Sequence, residues 1–266
     1  MTVRKTIPLG VVWEEAMAFC KAEAALLTPL ALLGFALPAV VLSLLMPDKL
    51  VIGSQPQLGA WMLWIVPYAL FSMLGTLSIS ALTSRPGISV SEALQIGLRR
   101  VPTGIAVALM ALGLVVVALV PVIVVGVVEM SVHGKPGPFT LIAYLAALVG
   151  LIWVSLRLLP VWATIATGQV GSAETVRATL AATRERAPLM LVLRLIAWIS
   201  EALVWMAITM PVGAVLRVVG RVTGAGRVTD FILLLVSACI GAALGAVWTV
   251  FVAMLQRRLA GFSSGT

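Results

Sequence analysis

Charge is scarce in this chain. Only 11% of its 266 residues are Asp, Glu, Lys or Arg, against about 25% in an ordinary soluble domain. A soluble globule that is 61% hydrophobic would lack the polar residues its exterior needs. Histidine is scarcer still: His133 is the only one, and it sits in a Gly/Pro-containing stretch. Cysteine is limited to Cys20 and Cys239. With no CxxC and no Cys/His cluster, a disulfide framework and a structural zinc site are both excluded. There is no HExxH and no GxSxG. The glycine-bearing run Val222–Gly226 lacks the Lys-Ser/Thr of a phosphate loop and reads as a turn. The sequence therefore gives no catalytic residue, metal ligand or cofactor, and predicts that the chain is not an enzyme. A cleavable signal peptide is not expected either, because Glu14, Glu15, Lys21 and Glu23 interrupt any early apolar core.

What the chain has instead is apolar length. Its mean hydropathy is +1.14. Six stretches reach the roughly 20 apolar residues needed to cross a hydrocarbon core: Ala24–Leu45, Leu58–Ser80, Thr103–Val128, Leu141–Thr167, Leu189–Leu216 and Phe231–Leu255. The expected fold is all-α, a polytopic integral membrane protein of about six kinked transmembrane helices with short amphipathic helices at the interface. It forms a single membrane domain over 1–266: an amphipathic segment 1–23, the bundle 24–257 and a tail 258–266. Prolines 29, 38, 67, 121, 160 and 211 fall inside the spans. Each removes a backbone donor and tends to kink its helix.

Basic residues outnumber acidic ones by 18 to 10. No nucleic-acid-binding motif accompanies the excess, and its position beside the apolar runs fits anionic lipid headgroups instead. Arg4, Lys5, Lys21, Arg85, Arg99, Arg100, Arg177, Arg184, Arg186, Arg257 and Arg258 fall on one side. Lys49, Lys135, Arg217, Arg221 and Arg227 fall on the other. The richer side marks the cytoplasm, giving a multi-pass protein with both termini inside, N-in/C-in. The three arginines of 217–227 run against this rule. They would remain inside if the last two spans formed a re-entrant pair.

Three segments outside the spans look helical. Leu9–Ala22 sets Leu9, Trp13, Ala16 and Cys20 on one face, as an interfacial helix does. Ser89–Val101 opens with Ser89 and Glu92 at capping-box spacing. Ser172–Ala187 places Val176 and Leu180 opposite Glu174, Arg177, Arg184 and Arg186. The last two echo each other, each preceding a proline, Pro102 or Pro188. This is either a trace of an internal repeat or chance likeness between two linkers.

Arg157, Arg194 and Glu201 are the ionisable residues expected inside spans, where charge is costly and normally faces protein or water. Arg157 and Glu201 fall at matching depth. Three readings stay open: a structural ion pair between spans four and five, a site for an anion or lipid headgroup, or a proton-coupled site at Glu201. Gly241 and Gly245 form a GxxxG that permits close helix approach, within the chain or between copies. Trp61, Trp64 and Tyr68 read as interfacial anchors. Trp198 and Trp205, flanking Glu201, read as core packing.

The run Leu151–Ala163, with Arg157 and Pro160 inside it, is followed by Gly171-Ser172-Ala173-Glu174 and a short helix ending in arginines. With the amphipathic opening before Leu37-Pro38, this order resembles the bacterial six-span proteins named for the membrane domain of glycerophosphoryl diester phosphodiesterase and their YciC-like relatives. In that group an Ala-Leu-x-x-Ser helix follows the span. Here its serine is replaced around Leu180–Thr183. The hydrolytic activity in the family's name belongs to a separate soluble domain, for which this chain has neither the length nor the acid/histidine cluster. The resemblance therefore implies a non-catalytic protein that contacts membrane lipids, anionic ones among them, or an unknown membrane protein or second copy. The alternative is a transporter of small solutes or lipids built on the intramembrane Arg/Glu group.

Overall fold

A computed structural model describes residues 9–46, 59–85, 87–135, 137–168, 171–183 and 187–263. Every element among them is helical. Helix α1 (Leu9–Ala22) precedes a first span made of α2 (Ala24–Ala31), a π-helical turn (Leu32–Ala36) and α3 (Leu37–Leu45). A 3-10 turn (Ala60–Trp64) leads into α4 (Ile65–Ser84). Then come α5 (Val90–His133), α6 (Pro138–Arg157), α7 (Val161–Thr167), α8 (Ser172–Ala182), α9 (Ala187–Thr223) and α10 (Gly226–Ser263). Six helices or helix pairs are long and apolar enough to cross a membrane. The chain is an all-α polytopic membrane protein.

The prolines act unequally. Leu37 donates its N–H five residues back, to the Leu32 carbonyl, directly before Pro38. This π turn absorbs the donor that Pro38 cannot supply. Pro160 ends a break at Leu158–Pro160 that splits the fourth span into α6 and α7. Pro102, Pro121 and Pro211 remain inside continuous helices. Consequently the expected interfacial helix Ser89–Val101 is not separate. It is the first turns of α5, which has 44 residues and reaches about 66 Å at 1.5 Å per residue. Its capping box forms as expected: Glu92 N–H donates to Ser89 Oγ at 3.2 Å, and Ser89 N–H to Glu92 Oε2 at 2.8 Å. Helix α8, by contrast, ends at Ala182, so the two linkers are not structural equivalents. The last two spans are continuous helices, each long and apolar enough to cross a membrane, joined at Gly224 (φ +72°). Lys49, Arg184 and Arg186 lie outside the described residues.

Packing is concentrated at one end, here termed the base. Val12 and Ala16 of α1, Leu27 and Leu30 of α2, Ile79 and Leu82 of α4, Met190 of α9 and Val250 to Leu259 of α10 share one apolar cluster. Leu77, Val107, Val161 and Ile165 form a second. Helix α1 buries Val12 in place of the expected Trp13, which is 46% exposed and meets Phe251 edge-on at 5.9 Å between ring centroids. The other end is open. Large apolar side chains of α5 from Leu109 to Val132, of α6 from Phe139 to Val149 and of α9 from Leu203 to Val222 are exposed there, and the outer face of α9 is already bare from Leu191, next to the base. In lipid that exposure carries no hydrophobic penalty, because acyl tails are as apolar as leucine.

Candidate functional site

Arg157 ends α6, where the span breaks before Pro160. Its Nη2 donates to the carbonyl of Leu180 in the last turn of α8, and its guanidinium lies 4.6 Å from the Trp153 ring centroid. Thr183, the C-cap of α8, returns the contact by donating its hydroxyl to the Arg157 carbonyl at 3.1 Å. Helix C-termini carry unpaired carbonyls and a partial negative charge. The arginine and the threonine thus close two such ends against each other. Thr183 keeps a hydroxyl close to where the resemblance calls for serine. The Arg157 Nε is buried without a partner.

The anticipated pairing of Arg157 with Glu201 does not form. The single ion pair among the described residues joins Arg258 to Glu15, between the end of α10 and α1. Arg194 lies over the Trp248 ring of α10 at 5.6 Å, and no hydrogen bond or ion pair links it to Arg157 or Glu201. Arg157 instead ends α6 beside the last turn of α8, whose free carbonyl at Leu180 it satisfies.

Further hydrogen bonds knit the base across the span ends. Gln256 Nε2 donates to Thr164 Oγ1 at 3.1 Å, and Arg257 Nη1 donates to the Thr83 carbonyl at 3.2 Å. Burial in α1 raises the Cys20 thiol pKa.

The GxxxG of α10 is not the close approach in this fold. A Cβ at Gly241 would meet nothing within 4 Å, and one at Gly245 would touch the Phe35 ring at 3.5 Å. The close approach is Gly34 against Gly75, where a Cβ on Gly34 would lie 2.6 Å from the Gly75 Cα. Both are lone glycines in apolar runs, with no small-xxx-small spacing to flag them. Gly241 and Gly245 instead line a cavity of about 290 Å³ between the first span and α10, with Tyr68 and Ser237 in its wall.

Glu129, near the open end of α5, also escaped the sequence reading. It is 6% exposed. It accepts from the backbone N–H groups of Gly137 (2.7 Å), Phe139 (3.1 Å) and Thr140 (2.9 Å), and from the Thr140 hydroxyl (2.5 Å). A carboxylate from the end of one helix therefore satisfies the free donors starting the next. A Cβ at Gly137 would fall 2.5 Å from Glu129 Oε1, so this position requires glycine. The available signal was an acid one turn before a helix end, followed by Gly-Pro. Trp198 and Trp205 are not core residues: they are 66% and 45% exposed, and Trp205 Nε1 donates to Ser237 Oγ at 2.9 Å.

Comparison with models of known families, with curated proteins and with solved structures found no match to this chain. The likeness carried by Leu151–Ala163 thus rests on the sequence pattern alone.

Proposed function

We propose that this chain is a non-catalytic, lipid-interacting protein of the bacterial inner membrane, with both termini in the cytoplasm and a distant relation to the six-span group its sequence resembles. The observation that carries the reading is the contrast in burial between spans. In the most apolar window of the third span, 0% of residues are buried, against 44% in the second. A helix so bare depends on lipid, or on a protein seated in lipid, for its surroundings. The orientation is supported by where the charges fall. Arg258 binds Glu15 of α1 and Arg257 reaches the end of α4, so the ends rich in basic residues share the base, and Arg217, Arg221 and Arg227 lie at the other end.

The dispersal of Arg157, Arg194 and Glu201 gives a transport reading no shared polar centre. Thermal unfolding in detergent with added phospholipid tests the proposal. A midpoint that climbs with lipid concentration is expected, since whatever binds the folded state alone stabilises it. An unchanged midpoint together with solute flux in vesicles would replace this reading with the transporter. An unchanged midpoint with a stable oligomer would assign the bare surface to a second copy.

A further inference from the structure

Two of the three arginines of 217–227, which run against the charge rule, line a built groove. A cavity of about 350 Å³ runs between α9 and α10, walled by Trp205, Met210 and Leu233 and floored by Gly213 and Ala214. Arg217 lines it and also lines the next cavity along the same seam, of about 180 Å³, together with Arg221 and Asp230. Arg217 and Arg221 are one turn apart on one face of α9. Both are exposed, and neither is in an ion pair with Asp230 or any other described residue. Above the groove the hairpin closes, because a Cβ at Gly220 would lie 2.5 Å from Thr229 Oγ1. Below, the Trp205–Ser237 hydrogen bond marks its lower end.

Helical rise sets the depths. From Ala187 at the base to Arg217 is about 45 Å along α9, the thickness of a bilayer with its headgroup regions. From Arg217 down to Trp205 is about 18 Å, close to the roughly 15 Å of hydrocarbon in one leaflet. The cationic end therefore lies at headgroup level and the apolar trough beneath it at acyl depth.

Building on the lipid-interacting reading, we infer that the α9–α10 groove binds one anionic phospholipid of the leaflet opposite the base. Its phosphate would be held by Arg217 and Arg221 and one acyl chain laid along Gly213 and Ala214 towards Trp205. Charge complementarity selects this occupant over a zwitterionic lipid, and the apolar trough selects it over free phosphate. The inference also gives these arginines a reason to lie on the minority side of the charge rule.

The test is native mass spectrometry of the full chain titrated with phosphatidylglycerol or phosphatidylcholine. Four proteins are compared: wild type, Arg217→Gln/Arg221→Gln, Ala214→Trp and Arg227→Gln. At about 1 kcal/mol per interfacial arginine, the double variant is expected to lose about tenfold or more in preference for phosphatidylglycerol. Ala214→Trp, which fills the trough and keeps both arginines, should lose the first bound lipid of either kind. Arg227→Gln, outside the groove lining, should match wild type. Equal phosphatidylglycerol retention by wild type and the double variant would overturn the inference, as would full retention by Ala214→Trp. Lipid-dependent stabilisation that survives in those variants would leave the broader lipid reading standing while this groove fails. Loss of lipid response in wild type would defeat both.

Discussion

The base and the open end of this molecule use the same apolar alphabet for opposite purposes. At the base, α4 is enclosed: Leu77 and Ile79 are 0% exposed, and serine and threonine hydroxyls sit among them. At the open end, α5 carries Leu112 and Ile123 at 58% and 61% exposure. Hydropathy runs opposite to burial, because the barer window is the more apolar, 3.0 against 1.7. What differs is small and polar residues. Helix α4 packs Gly75 on Gly34 and Ser78 beside Gly97, with Ser80 and Thr83 buried among them, whereas the middle of α5, from Ala106 to Gly126, has no hydroxyl residue and its Gly113 meets nothing within 4 Å. In lipid, helices associate through close packing rather than through hydrophobicity, so the body forms where small residues of two helices meet.

That contrast can be broken at graded cost. The largest effect is expected at Gly75→Leu, which drives a side chain into the Gly34 backbone. Overpacking of this kind costs about 3 kcal/mol or more, and thermal unfolding should register it as outright loss of the folded protein. Arg157→Ala removes the clasp between α6 and α8 and leaves the Leu180 carbonyl open. A lost hydrogen bond to a charged group is worth about 2 kcal/mol, to be read as a lowered midpoint, with Arg157→Lys intermediate. Glu129→Gln tests the one tightly bonded point at the open end. It should speed hydrogen exchange at Gly137 to Thr140 while amides of the base stay protected. Leu112→Ala should be smallest, within about 0.5 kcal/mol of wild type, because this side chain leaves lipid contact rather than a protein cavity.

How legible this was depended on the range of the interaction. Local signals read true: the spans by length, the Ser89–Glu92 box by spacing, the turn at Gly224 by its glycine. Signals that needed a partner misled. Arg157 pointed to Glu201 because depth along two straight helices matched, yet it caps the end of α8 at Leu180, a partner that depth along the spans does not reveal. Gly241 and Gly245 drew notice through their spacing, while the helices meet at Gly34 and Gly75, whose separation along the chain hides them. Glu129 gave no sequence signal of its own. Its four hydrogen bonds become visible only once the start of α6 folds back over it.

An open end that faces lipid has a direct spectroscopic signature. Spin labels at Leu112→Cys, Val124→Cys and Leu77→Cys, with Cys20 and Cys239 replaced by alanine and the protein in vesicles, test it most directly. The two α5 labels should collide freely with oxygen dissolved in the bilayer and hardly at all with a water-soluble relaxant, while the label at Leu77 should be shielded from both. Labels on α5 as shielded as Leu77, or open to the aqueous relaxant, would contradict it.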